Sequence, residues 1–375
     1  MTNDAHYMQI ALRLARRSLG RSWPNPAVGC VIVQTGSDPA RVIGRGWTQP
    51  GGRPHAEAVA LAQARERYGE DGLSGATAYV SLEPCSHHGR TPPCADALID
   101  ARINRVVVGC TDPDARVSGD GIARLRSAGL KVTTNLLQGE AEQMNAGFIK
   151  RETAGRPLVT LKIATTADGR IATRNGASQW ITGPAARERV HLMRAQHDAI
   201  MVGINTVIHD DPQLTCRLDG LEDRSPVRVV LDSSLRISAE ARLVRTAGAV
   251  PTWVVTRDGG DSAVVARLQD AGVEVLHVAA GAAGHVDAGL ALAELAARGI
   301  TRVLVEGGAI LNAALVRAGL VDRIAWFRAP SLLGGDGKPA FGDLGIEKIE
   351  DMLTFAPLSR EIIGNDTLDI YRLLP

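Results

Sequence analysis

The sequence predicts two α/β domains in tandem. Helical and strand-like apolar patterns alternate along the whole chain, and a linker-like stretch at residues 153–157 interrupts them once. At 375 residues and 45% hydrophobic content, the chain has material for two cores. In the first half, residues 4–19 place Met8, Ala11, Leu12 and Ala15 at i, i+3, i+4 and i+7, one apolar face of an amphipathic helix. Pro24, Asn25 and Pro26 break it, and residues 27–33 form a short apolar run suited to a buried strand. Residues 44–54 read as a Gly/Pro-rich loop and 55–68 as an Ala/Glu-rich helix. Strands are then expected at 77–82, 105–109 and 131–134, with helices at 95–101, 121–128 and 140–151. This is an α/β sandwich around a mostly parallel or mixed sheet, assigned to residues 1–150.

The second domain, residues 151–375, repeats the rhythm. Strands are expected at 158–163, 199–202, 227–231, 252–255, 273–278, 302–305 and 324–327. Helices are expected near 184–196, 261–271, 287–298 and 309–318. No internal repeat is visible.

Forty-two basic residues against 41 acidic ones leave a formal charge of +1, so there is no general electrostatic footprint for nucleic acid or an anionic membrane. No run of eighteen apolar residues and no signal-like amino terminus occurs, and the expected compartment is the cytoplasm. Five cysteines in so long a chain are no disulfide framework; a close pair, Cys85 and Cys94, reads as metal ligands. Cys30, Cys110 and Cys216 read as core or incidental thiols.

The strongest chemical signal is His55-Ala56-Glu57 followed by Pro84-Cys85 and, after eight residues, Cys94. One imidazole and two thiolates make a three-ligand zinc set with the fourth tetrahedral position left for water, the pattern of a catalytic site. Two thiolates leave the ion formally neutral, which keeps the Lewis acidity that brings a bound water toward a pKa of about 7. Expected helix starts beside His55 and Cys94 favour the thiolate form. Glu57, two residues from His55, does not share its helix face, so it is a neighbour of the ion and not a ligand. A carboxylate there can take a proton from water and deliver it to a ring nitrogen and then to leaving ammonia. His87 and His88, between the cysteines, remain alternative ligands.

Three segments carry a resemblance: residues 24–30, Pro-Asn-Pro-Ala-Val-Gly-Cys; His55-Ala56-Glu57; and residues 82–94, with their long insert between the cysteines. They resemble the cytidine-deaminase-like deaminase half of the bifunctional riboflavin-biosynthesis deaminase/reductase family. The resemblance implies the substrate 2,5-diamino-6-ribosylamino-4(3H)-pyrimidinone 5′-phosphate, with its 2-amino group lost as ammonia. It also implies contacts to substrate from Asn25, His87 and Arg90. Thr48 and Asp120 stand where family members often carry His and Lys; the first could remove a phosphate contact, with Arg53 or Arg90 compensating.

No G-x-G-x-x-G follows a strand in the second half, which disfavours a Rossmann site. Glu306-Gly307-Gly308-Ala309 lies between an expected strand and helix, where backbone N–H groups can hold a phosphate or merely make a tight turn. Lys162, Arg194 and Arg217 are either surface charges or the cations an anionic ligand needs. Residues 162–170, 178–182, 194–200 and 210–215 are similar to the reductase half of the same family, whose fold resembles dihydrofolate reductase. What that implies is NADPH-dependent reduction of the ribosyl group to ribityl, giving 5-amino-6-(5-phospho-D-ribitylamino)uracil. Ala164, Trp180, Thr206, Asp210 and Ser233 would line the cofactor, with the turn of Gly308, Ala309, Ile310, Leu311, Asn312, Ala313 and Ala314. Ser178, Arg194, Leu214, Arg217 and Glu306 would line the substrate, and Lys162 with Glu306 would handle the proton. Ile204-Asn205 and His209 depart from the family pattern without removing an essential group.

Expected partners are thus a small phosphorylated pyrimidine and further copies of the chain, with Zn²⁺ and NADPH as cofactors and neither nucleic acid nor membrane. Two rivals remain: a nucleic-acid deaminase, disfavoured by the near-zero charge and 3% aromatic content, and a second domain that serves only for binding or dimerisation.

Overall fold

A computed structural model describes residues 3–34, 40–87, 92–114, 118–281 and 284–374. The chain divides into two units, Met1–Gly155 and Arg156–Pro375, and each is described by itself.

The first unit holds a five-stranded mixed sheet: β1 (Gly29–Gln34), β2 (Arg41–Trp47), β3 (Thr77–Val80), β4 (Arg105–Val108) and β5 (Lys131–Thr133), in the order β2-β1-β3-β4-β5. β1 runs antiparallel to β2 and β3, whereas β3, β4 and β5 are parallel. β3 is buried throughout and β4 nearly so, as short apolar runs in a sheet covered on both faces should be. The helices are α1 (Asn3–Ala15), α2 (Ala56–Tyr68), α3 (Cys94–Asp100), α4 (Asp120–Ser127), α5 (Gln138–Met144) and α6 (Ala146–Ala154).

Two expectations are corrected here. Residues 44–54 are not all loop, because β2 runs through Gly44 and Gly46 to Trp47. The glycines are there for close packing: a Cβ on Gly44 would lie 2.3 Å from the Ala60 carbonyl oxygen, and one on Gly46 2.0 Å from that of Ala56. They let α2 lie directly on the strand, which fixes the helix start beside His55. The single helix expected at 140–151 is two helices, α5 and α6, joined at the buried Asn145.

The second unit is built on a nine-stranded sheet. Its strands are β6 (Leu158–Thr166), β8 (Ala199–Gly203), β9 (Val227–Leu231), β10 (Thr252–Arg257), β11 (Glu274–Val278), β12 (Arg302–Val305), β13 (Arg323–Ala329), β15 (Phe355–Ile363) and β16 (Asp366–Leu373). The order is β11-β10-β9-β8-β12-β6-β13-β16-β15, parallel from β11 to β13 and antiparallel at β13/β16 and β16/β15. β7 (Arg170–Ala172) and β14 (Lys338–Pro339) form a separate pair. The helices are α7 (Pro184–Ala195), α8 (Ile204–Asp210), α9 (Arg242–Arg245), α10 (Ser262–Asp270), α11 (Ala288–Ala297) and α12 (Ala309–Arg317).

The β15/β16 hairpin escapes sequence reading because β15 is an edge strand. Pro357, Ser359, Arg360 and Glu361 break its apolar pattern, and its pairing shifts register between Pro357 and Ser359. At the amino ends of the parallel strands, carboxylates fasten neighbours together. Asp198 Oδ2 accepts from the Thr301 backbone N–H and hydroxyl, both at 2.7 Å, and from the Arg302 N–H at 3.0 Å. Asp322 Oδ2 accepts from Val159 N–H at 2.9 Å and from Arg156 at 2.7 Å. The carboxyl ends of these strands carry the turns that make the second site, as open parallel sheets generally do.

Candidate active sites

In the first unit the loops leaving β3 and β4 and the starts of α2 and α3 converge. His55 is the extended residue that precedes α2, with φ −70° and ψ 161°, so its ring is not bound by the face rule of the helix. Cys94 opens α3, and its backbone N–H points at Cys85 Sγ, 3.4 Å away. His55 Nδ1 lies 3.3 Å from Cys94 Sγ and 3.6 Å from Cys85 Sγ, and the three ligand atoms all fall within 4.8 Å of one another. Tetrahedral zinc with bonds of about 2.3 Å to sulfur and about 2.0 Å to nitrogen sets nitrogen and sulfur about 3.5 Å apart. The donor set therefore fits zinc in both chemistry and spacing. No other such group of three occurs among the described residues.

The electrostatics suit a cation. Hydrogen bonding from Cys94 and the His55 ring holds the Cys85 thiol far below its ordinary pKa despite burial, while the resulting thiolate and burial push Cys94 up. The pair therefore carries a charge that a divalent ion would complete. Burial lifts the Glu57 carboxyl to about 6 against the pull of His55. Only 3% of Glu57 is exposed, and it lines the same cavity of about 260 Å³.

Asn25, His55, Glu57, Cys85 and His87 share that cavity. Asn25 packs on Gly52, donating from Nδ2 to its carbonyl at 3.2 Å; a Cβ on Gly52 would collide with that nitrogen at 1.9 Å. His87 Nδ1 is buried with no hydrogen-bond partner among the described residues, so a polar ligand group can engage it. Arg90 and His88 lie outside the described residues. Thr48 lines the cavity but is committed to the frame: its hydroxyl accepts from Val28 N–H at 3.0 Å and its carbonyl from Ser18 at 2.8 Å. Arg53 and Arg151 are cations in the same wall.

Sequence reasoning missed the acids of this cavity. Glu83 is buried and accepts from the backbone N–H groups of Asp112, Gly119 and Ile122 at 3.1–3.2 Å. Burial pushes Asp112 up to about 7, helped by Asp114 and Glu83. The available signal was Asp112-Pro113-Asp114 just past the carboxyl end of a parallel strand.

In the second unit, Lys162 on β6, Arg194 on α7 and Glu306 past the end of β12 form one cluster. Arg194 grips Glu306 with two bonds, Nε to Oε1 at 2.7 Å and a terminal nitrogen to Oε2 at 2.9 Å. Lys162 Nζ lies 4.0 Å from Glu306 Oε2. Burial alone would raise Glu306, but Arg194 and then Lys162 outweigh it and hold the carboxyl at about 2. Burial lowers Lys162, opposed by Glu306. A permanently ionised carboxylate thus faces a lysine whose proton is loosened.

The expected cofactor residues divide. Gly308 caps α12 with no side chain over the helix start, and Ile310 is 74% exposed, so the first turn is open to a ligand. Asn312 and Ala313 turn inward: Asn312 is buried and donates to the Ala340 carbonyl at 3.1 Å. Leu311 lies over Gly307, where a Cβ would meet it at 2.9 Å, while Ala309 and Ala314 are half-buried. Trp180 is 68% exposed with the Arg187 guanidinium 4.6 Å above its ring, and Ser178 is exposed nearby in sequence. Ala164 is half-buried on β6; Thr206 and Asp210 sit on α8 past the end of β8. Ser233 follows β9, its hydroxyl accepting from Val286 N–H at 2.9 Å. Leu214 points into the core, leaving only its backbone, at φ 55°, for a ligand. Arg217 is exposed and bonds Gln213 Oε1 at 3.1 Å. The open first turn of α12 is chemically suited to a cofactor phosphate.

Comparison with known proteins agrees with both halves. Residues 157–368 match the family model described as the RibD C-terminal domain, and residues 1–110 match the cytidine and deoxycytidylate deaminase zinc-binding region. The chain is 43% identical over 374 residues to the riboflavin biosynthesis protein RibD of Escherichia coli, with 97% of each chain covered. Among solved structures, RibD of Acinetobacter baumannii in its form 1 superposes with a TM-score of 0.86 at 38% identity, covering 99% of each chain. A Thermotoga maritima protein described as a diaminohydroxyphosphoribosylaminopyrimidine deaminase/5-amino-6-(5-phosphoribosylamino)uracil reductase gives 0.85 at 35% identity, again over 99% of each. The chain belongs to the RibD family, the bifunctional deaminase and reductase of riboflavin biosynthesis, with zinc serving the first activity and NADPH the second.

Proposed function

We propose that the first unit deaminates 2,5-diamino-6-ribosylamino-4(3H)-pyrimidinone 5′-phosphate, and that the second reduces the ribosyl group of the product to give 5-amino-6-(5-phospho-D-ribitylamino)uracil. The observation that carries this reading is the meeting of His55, Cys85 and Cys94 within 4.8 Å beside the buried Glu57. His55, Cys85 and Cys94 hold zinc, which when bound supplies the Lewis acidity that makes water a nucleophile near neutral pH. Glu57 takes one proton from the attacking water and passes it to the ring nitrogen, then takes the second from the hydroxyl formed at C2 and delivers it to the departing amino group as the C2 carbonyl forms. One C–O bond forms at C2, one C–N bond breaks, and ammonia leaves. Asn25 orients the pyrimidine, while His87 and Arg90, with Arg53 in the cavity wall, serve its polar and anionic groups.

In the second unit, NADPH supplies the hydride. The ribosylamine ring opens between C1′ and O4′ as the N–H proton passes to O4′ and a C1′=N imine forms; C1′ then accepts the hydride and the nitrogen a proton. Lys162 is the donor in this reading, because Glu306 held at about 2 has no proton to give at neutral pH. Glu306 instead fixes Arg194, and Arg194, Arg217, Ser178 and the Leu214 backbone bind substrate. Ala164, Trp180, Thr206, Asp210, Ser233 and the residues from Gly308 to Ala314 bind the cofactor, with Asn312 and Ala313 acting through the set of the turn.

A cytoplasmic setting suits two thiolates that must stay reduced to hold a metal. No helix of the described residues is long and apolar enough to cross a membrane. Ile349, Met352 and Ile362 expose apolar side chains near and along the carboxy-terminal hairpin, which favours a homo-oligomer.

The test is one substrate assayed twice. The diaminopyrimidine nucleotide alone should release ammonia, and NADPH should be oxidised only as the deaminated product accumulates. NADPH oxidation with no ammonia released would overturn the order, and no ammonia under either condition would overturn the deaminase assignment.

A further inference from the structure

Sequence reading passes over His191, which sits three residues before Arg194 on α7 and shares its face. Its Nδ1 lies 3.1 Å from the Thr215 carbonyl oxygen and 3.2 Å from the Arg217 backbone nitrogen. One ring nitrogen carries either a proton or a lone pair, so it can serve only one of the two. Thr215 O already accepts from Arg194 at 2.9 Å, whereas the Arg217 N–H has no other acceptor among the described residues. The neutral ring with its proton on Nε2 therefore leaves neither the Thr215 carbonyl nor the Arg217 N–H unpaired. Among the described residues the Arg217 side chain bonds only within its own segment, to Gln213 Oε1 at 3.1 Å and Thr215 Oγ1 at 3.3 Å. His191 thus fastens the Arg217 backbone itself to the helix that carries Arg194, two residues beyond the Thr215 carbonyl that Arg194 holds.

We propose that His191 is a positioning residue of the reductase site, whose unprotonated Nδ1 accepts the Arg217 N–H and sets that arginine against the anionic group of the substrate. This rests on the reading of Arg194 and Arg217 as substrate-binding. The groups facing the ring keep it in the required form. Burial, Arg194 on its own helix and Arg217 on the facing segment lower its pKa; the Thr215 carbonyl, which would accept from a protonated Nδ1, and Glu306 past the end of β12 oppose them more weakly. The effect falls on substrate affinity and not on the hydride step, because Lys162 and Glu306 do not touch Nδ1.

The test uses the full chain with the deaminated substrate and NADPH. His191→Leu removes the acceptor, and His191→Gln moves it one carbon too far. Each should raise KM for the phosphorylated substrate about fivefold, the scale of one net hydrogen bond, with a much smaller change in kcat. His191→Asn, whose amide oxygen can occupy the Nδ1 position, should recover most of that loss. Arg217→Met should raise the same KM, and combining it with His191→Gln should add little, because the histidine acts through the arginine. The inference is overturned if Gln and Asn variants share one KM, or if the losses multiply in the double variant. If Arg217→Met leaves KM unchanged, the substrate-site reading itself fails and takes this inference with it.

Discussion

Glu57→Gln is expected to keep its zinc and lower ammonia release by about 10³-fold, within the range that a positioned general acid/base contributes. The glutamine fills the same buried volume, so the three ligands need not move. What is lost is the ability to take a proton from water and return it to the substrate. Glu57 lies in the cavity with His55 and Cys85 and is almost wholly shielded from solvent, so no bulk base can replace it. NADPH oxidation with deaminated substrate should stay near wild type, since Glu57 belongs to the first unit and the proposed reductase residues all belong to the second. Ammonia production within about tenfold of wild type would remove Glu57 from the proton path.

Lys162→Met should have the mirror effect, lowering NADPH oxidation by about 10²- to 10⁴-fold while ammonia release continues. Methionine keeps the apolar stem and removes the donor. Two bonds from Arg194 hold Glu306 ionised, so the loosened proton of the pair is on the lysine. Single-turnover rates separate this from weakened binding, because the chemical step itself should slow. A Met variant with an unchanged single-turnover rate would assign the proton to water or to the substrate.

The alternation of apolar strands and amphipathic helices was legible because the central strands are covered on both faces, which leaves an unbroken apolar run, as in β3 and β12. Elements governed by close approach or by an edge were not. β2 reads as loop because Gly44 and Gly46 serve the backbone of α2 at a distance no local pattern encodes. β15 reads as nothing because an edge strand carries polar side chains. The candidate site shows the same division. His55, Cys85 and Cys94 stand out because few other roles require those residue types. Glu83, Asp112 and Asp114 are ordinary acids until the carboxyl ends of β3 and β4 bring them to one cavity. His191 is an ordinary helix residue until the segment carrying Arg217 is seen folded against it.

The most direct measurement is the zinc content of the purified chain, taken before and after Cys85→Ser and paired with both activities. One zinc per chain is predicted for the wild type. In the variant the metal and ammonia release should disappear together, while deaminated substrate is still reduced. A chain that deaminates at full rate with no metal, or a Ser variant that keeps its zinc, would contradict the three-ligand centre.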